Sequence, residues 1–185
     1  TVRPSAPLTT QPTAQSSSVP TVKPSTSIPT STSVNLIINH GAETGDLTGW
    51  TSSNLESTGW TKAINISNKG TYYFYTSCTI TCVPLTQTIA NLVPNVKYEL
   101  SLWVSTSSSV GNSLIVSIGS NQLLQLTPGN TVYTLYSATF TASSSTANLV
   151  VQGTVSGSGN KLRIDDFSLS QYNQATFSLN QISEL

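Results

Sequence analysis

The chain has 185 residues, enough for one domain of ordinary size and a tail. Its 7 basic residues balance its 7 acidic ones, so the formal net charge is zero and there is no basic surplus to hold nucleic acid or an anionic membrane surface. No apolar run reaches the roughly 18 residues of a membrane-spanning helix, which argues against membrane insertion.

Residues 1–33 hold almost only Thr, Ser, Pro, Val, Gln and Ala, with Pro4, Pro7, Pro12, Pro20, Pro24 and Pro29 spread through them. Proline removes backbone donors and there is little apolar surface to bury. The segment is therefore expected to be a disordered, extended linker of the O-glycosylated stalk type. It is expected to join the domain to a fused neighbour. With no signal peptide visible at Thr1, the chain reads as a mature form or an excised piece.

From Val34 onward, short apolar runs with period-two alternation are separated by Gly, Asn, Pro and Ser clusters. That pattern predicts strands at 34–39, 61–67, 71–77, 85–90, 97–106, 113–119, 122–126, 131–141, 147–155 and 161–170. Asn68-Lys69-Gly70 and Gly119-Ser120-Asn121 supply turns. About ten strands and no long helix argue for an all-β fold, a two-sheet antiparallel β-sandwich over 34–170. Residues 171–185, with Phe177, Leu179, Ile182 and Leu185, read as a C-terminal tail or an extra strand.

Cys78 and Cys82, with three residues between them, form an even pair in a Ser/Thr-rich chain. They are expected to form a disulfide, which implies a secreted or cell-surface setting. Two cysteines and His40, the single histidine, do not complete a tetrahedral zinc site. Asn65-Ile66-Ser67 is an N-glycosylation acceptor. Its use requires Asn65 to be exposed, and the expectation puts Ile64 and Ile66 inward. No nucleophile elbow lies near His40 and no Gly-rich phosphate loop precedes a helix, so the chain itself is not expected to be an enzyme. An enzyme appended beyond the linker remains compatible with this.

Three places carry a family resemblance. Near the start stand Gly41, Glu43, Gly45, Gly49 and Trp50 within Asn35–Trp50. In the middle, Gln87-Thr88-Ile89 is followed by Leu92-Val93-Pro94 and by the run from Tyr98 to Val104. Near the end comes Ile164-Asp165-Asp166-Phe167-Ser168-Leu169. In this order and spacing the set resembles the carbohydrate-binding modules of families 4, 9 and 22, which share a jelly-roll fold. The resemblance implies a jelly roll whose first and last strands meet, and non-catalytic binding of a polysaccharide or oligosaccharide. It also implies a structural calcium ion at that meeting point, held by Glu43 and by Asp165 or Asp166, with carbonyls from around Gly41. Hard cations take several oxygen ligands, and carboxylates brought together without one repel each other. Alternation puts Asp165 opposite Ile164 and Asp166, which favours Asp165 as the ligand. The bland reading of these acids is that they cap turns or pair with Lys62, Lys161 or Arg163.

Sugar rings stack their C–H faces on aromatic side chains and bond their hydroxyls to planar polar groups. On the strand from Tyr98, alternation puts Tyr98, Leu100, Leu102 and Val104 in the core and Glu99, Ser101, Trp103 and Ser105 outward. Trp103 is the leading stacking candidate, with Glu99 beside it. Tyr73 and Tyr75 are expected outward, with Tyr72 and Phe74 buried. Gln87 is a candidate hydrogen-bonding partner, as are Gln122, Gln125 and Gln152. Trp60, beside Gly59, is expected to line one end of the cleft, and Trp50 to pack in the core. The binding module is expected to be a monomer; the competing reading is a structural or adhesive ectodomain with Trp103 and the tyrosines buried.

Overall fold

The structure is a computed structural model that describes residues 34–109 and 111–173. The linker expected over 1–33 and the tail beyond residue 173 lie outside the described residues. Among those residues there are nine strands and no helix. They are β1 (Thr61–Ile64), β2 (Tyr72–Thr76), β3 (Leu85–Ile89), β4 (Lys97–Thr106), β5 (Ser113–Ile118), β6 (Asn121–Leu126), β7 (Thr134–Thr141), β8 (Ala147–Thr154) and β9 (Leu162–Gln171). One sheet runs β1-β2-β9-β4-β7 and the other β3-β8-β5-β6, all pairs antiparallel. This is the expected β-sandwich.

The alternation read from sequence is the alternation of burial. Tyr98, Leu100, Leu102 and Val104 of β4 meet Leu114, Val116 and Ile118 of β5 and Leu149 and Val151 of β8 in one core. Trp50 joins it as expected, its ring 5.5 Å from Phe74 and 5.1 Å from Phe167. Burying such a side chain is worth roughly 1.5–3 kcal/mol, so the two inner faces supply the main force holding the sheets together.

The strand expected at 34–39 is not a ladder strand. The segment does run beside β9, and Leu36 N donates to Leu169 O at 2.9 Å. Asn35 then takes over the pairing with its side chain, Nδ2 donating to Phe167 O and Oδ1 accepting from Leu169 N, each at 2.9 Å. On the other side, Gln87 imitates a strand. Its Oε1 accepts from Ile38 N and its Nε2 donates to Ile38 O, both at 2.9 Å. Asn39 has φ 48°, a left-handed conformation that ends any extended run.

Strand β9 contains the second departure. Asp165 pairs with Trp103, but the next pair is Ser168 with Ser101, and Asp166 has φ 47°. This bulge inserts a residue and reverses the phase of alternation. Leu162 and Ile164 point into the core before it, Phe167 and Leu169 after it. Strict alternation with Ile164 would have turned Phe167 outward.

Cys78 and Cys82 form the expected disulfide. The loop they close is tied to β8 and its end by Gln152 Nε2 donating to Cys82 O and Val155 N donating to Cys78 O, both at 2.9 Å. Ile64 and Ile66 are both about half exposed, which corrects the inward placement. β1 is an edge strand of four residues and does not reach far enough to carry Ile66 over the core.

Candidate functional site

The outer face of the five-stranded sheet is built in rows, because cross-strand register lines up outward side chains. One row runs Thr61, Tyr75, Arg163, Ser105 across β1, β2, β9 and β4. The next runs Ala63 and Tyr73 on one side and Asp165, Trp103 and Leu135 on the other. Further down lie the hydroxyls of Ser101, Ser137 and Ser168, then Glu99 with Thr139 and Ser170. One half of the face is aromatic and charged; the other is a carpet of small hydroxyls ending at Glu99.

Trp103 faces outward as its alternation requires and is partly exposed. Leu135, directly beside it in register, is 50% exposed, and Val132 stands exposed in the loop before β7. Trp103 and Leu135 form an apolar shelf on the sheet. Tyr75 is half-buried on the same face, its ring 5.9 Å from that of Tyr73. Its hydroxyl is pushed up to about 12, first by burial and then by Glu56 beside it. Lys161 Nζ lies 4.5 Å over the Tyr75 ring and 3.7 Å from Glu56 Oε2.

Tyr73 does lie on this face, but it is only 3% exposed, which corrects its placement as a surface residue. β2 sits inside the sheet between β1 and β9, so its outward side chains are flanked by neighbours. The other half of that expectation stands for Phe74, which is fully buried, whereas Tyr72 is only partly so. Trp60 is a larger correction. It is 0% exposed and packs between the sheets against Gly153, where an added Cβ would lie 2.5 Å from Trp60 Cζ2. Gln87 lies on the other sheet, and its side-chain amide is bonded to Ile38 at both ends. Gln122 and Gln125 bond to each other on β6, at 3.1 Å, on the opposite sheet.

The sequence reading passed over Arg163 as a binding residue, and Ser105, Tyr133 and Leu135 with it. Arg163 and Ser105 are buried opposite each other. Tyr133 lies over them within electrostatic reach of Arg163, Asp165 and Tyr73, and burial pushes its hydroxyl upward. Arg163 Nε is buried without a hydrogen-bond partner, and Ser105 Oγ and Tyr133 OH, also buried, lie within reach of each other. The inward parity of Leu162 and Ile164 already turned Arg163 outward; its meeting with Ser105 needed the register.

The acids of the first and last segments do converge, around Gly41. A Cβ there would sit 3.5 Å from Oδ1 of both Asp165 and Asp166 and 3.6 Å from Glu43 Cγ. Asp165 Oδ2 accepts from Asn68 N at 2.7 Å, and Asp166 Oδ2 from Asn68 Nδ2 at 2.7 Å. Burial, and after it the charge of Asp166, raises the Asp165 carboxyl to about 7. Glu43 spends its carboxylate differently, accepting from Thr71 N and Tyr72 N at 2.9 Å. Among the described residues no three acidic, histidine or cysteine groups are placed to hold a metal together. A hard cation would therefore rest on the two aspartate oxygens at Gly41 and on carbonyls, with Glu43 outside that pair.

A recess of about 360 Å³ lies at the β3 edge of the other sheet. It is lined by Thr51, Thr86, Gln87, Thr88 and Asn148, so the sequence candidate Gln87 borders it, and it holds no aromatic ring.

A family described as carbohydrate binding domain matches residues 34–158 of this chain. No curated protein sequence matches it. Among solved structures, TmCBM61 in complex with β-1,4-galactotriose is similar, at 20% identity and a TM-score of 0.60, over 76% of this chain and all of that one. The CBM22-1 xylan-binding domain of Paenibacillus barcinonensis Xyn10C is similar at 14% identity and a TM-score of 0.55, over 74% of this chain and 94% of that one. The CBM22-1-GH10 modules of the Clostridium thermocellum endo-1,4-β-D-xylanase 10B, complexed with xylohexaose, match at 17% identity and a TM-score of 0.56. That match covers 75% of this chain and 29% of theirs.

Proposed function

This chain belongs to the carbohydrate-binding domain family, and from that premise we propose that it binds a polysaccharide or oligosaccharide on the outer face of the five-stranded sheet. Trp103 and Leu135 form the stacking shelf, Tyr75 the wall, and Glu99, Ser101 and Ser137 the hydroxyl partners. The observation that supports this most is the partly exposed Trp103, with Leu135 beside it, next to the buried and unpartnered Nε of Arg163. An aromatic ring kept at the surface of a sheet face next to an unfilled donor suits a sugar, which offers apolar and polar faces together.

Binding is non-catalytic in this reading, because glycoside hydrolysis needs two carboxyl groups flanking one sugar. Asp165 is turned to backbone amides and Glu56 to Lys161, so neither is free for that work. The disulfide supports a secreted or cell-surface protein. Asn65, exposed and at φ 80°, is accessible for glycosylation. The domain acts as a monomer beside a fused neighbour, which an appended enzyme would fit.

A calcium ion at Gly41 belongs to the same proposal. Asp165, Asp166 and nearby carbonyls would hold it, and it would neutralise two carboxylates that otherwise repel. Thermal unfolding at neutral pH with calcium and with a chelator tests this; equal midpoints would remove the ion from the account.

The main test is binding of the full chain, with calcium present, to soluble and insoluble polysaccharides, alongside Trp103→Ala. β-1,4-Galactan and xylan belong in the first panel, given what the structural neighbours carry. Retention that the variant loses by about tenfold or more supports the shelf. Retention unchanged in the variant moves the site elsewhere. No retention on any polymer, from a folded chain, favours the structural or adhesive module.

A further inference from the structure

If the outer face of the five-stranded sheet binds glycan, as proposed above, its charge also selects the kind of glycan. Arg163 is 8% exposed and its Nε has no hydrogen-bond partner. Among the described residues the one ion pair joins Lys161 to Glu56, at 3.7 Å. Asp165, two residues along on the same face, turns its carboxylate to Asn68 N and Lys69 N instead. The guanidinium is therefore buried with no carboxylate against it. Removing a cation from water is costly unless an anion or several acceptors meet it.

Other buried polar groups stand beside it. Ser105 lies directly opposite Arg163 in register, and Ser105 Oγ and Tyr133 OH are also buried, within reach of each other and with no further side chain bonded to either. Three buried polar groups thus gather at one place, with Tyr75 next to Arg163 in register. The Nε edge of a guanidinium presents two parallel N–H groups, the spacing a carboxylate accepts side-on. Two hydroxyls donating to the same oxygens would complete their coordination. A neutral sugar hydroxyl fills one of these bonds and leaves the charge unmet. We propose that this face selects acidic glycans, with the carboxylate of a uronic acid residue seated on Arg163 beside Ser105 and Tyr133.

The experiment compares polygalacturonate, polymannuronate and glucuronan with the same polymers after reduction of their carboxyl groups. A sulfated galactan of similar charge density controls for charge alone. The full chain, Arg163→Gln, Arg163→Lys and Trp103→Ala are titrated against each, with folding checked by thermal unfolding. We expect at least one polyuronate to bind tenfold or more tighter than its reduced partner, with affinity falling as salt rises. Arg163→Gln abolishes that difference. Arg163→Lys retains charge and loses most of the preference, which separates the fork from the charge should the Gln variant fold poorly. Equal binding of every polyuronate and its reduced partner overturns the proposal. So does sulfated galactan bound as tightly as the preferred polyuronate, or a preference that survives both Arg163 variants. In the first case, retention of reduced polymers through Trp103 leaves the glycan-binding reading intact. Absence of binding to every polymer, charged or neutral, removes both.

Discussion

Gly153 is a residue whose lack of a side chain decides where another residue goes. Trp60 fills the space over it, with Leu162 on the other side, where a Cβ would meet Leu162 Cδ2 at 2.9 Å. Neither neighbour is exposed, so neither has an easy way to yield. Gly153→Ala should lower stability by about 1–3 kcal/mol, the usual range for overpacking a filled core. Denaturant midpoints measure this, and glycan binding by the folded fraction should stay unchanged. Gln87 makes the complementary case. Gln87→Leu keeps the shape but loses both bonds to Ile38, at a cost of roughly 2 kcal/mol from two ordinary hydrogen bonds. The same unfolding measurement should detect it, and Trp103-dependent binding should persist, because Gln87 is not on the ligand face.

At the scale of the element, β9 is where fold and site meet, and its bulge places Asp165. The carboxyl of Asp165, raised to about 7 by burial first, titrates at a higher pH folded than unfolded. The native state therefore holds this proton more tightly. The contribution favours folding below the unfolded value of about 3.9 and is lost as pH rises from there to about 7. Asp46 has the opposite sign. Thr44 and Thr48 bond its carboxylate and hold it at about 2, so its contribution is present above the unfolded value and is lost as pH falls from there to about 2. In a chelator, urea unfolding should show stability declining between pH 4 and 7, with Asp165→Asn flattening that slope. Calcium should restore stability at the upper end, since it binds the ionised form. A slope unchanged in Asp165→Asn would show that another group governs this window.

For the whole molecule the strand order matters most. The family match ends at residue 158, yet β9 begins at Leu162 and lies between β2 and β4. Without it the five-stranded sheet would separate into two pairs, and the core would lose Leu162, Ile164, Phe167 and Leu169. A chain ending at residue 158 should fail to fold, whereas one ending at residue 173 should fold. Dispersion of amide resonances and resistance to protease check this. Much of the architecture was legible in the sequence: the all-β class, nine of the ten expected strands, the disulfide, and the outward face of Trp103. Those features follow from period-two alternation, turn residues and cysteine spacing, which act over a few neighbouring positions. The burial of Tyr73 and Trp60 was not legible, because it depends on the strands and the glycine that come to lie against them. The phase change at Asp166 was hidden for a related reason: a bulge is set by the partner strand. The meeting of Arg163 with Ser105 and Tyr133 likewise exists only once register is made. Local periodicity determined which side chains leave the core; tertiary pairing alone decided which of them meet, and so what the face can hold.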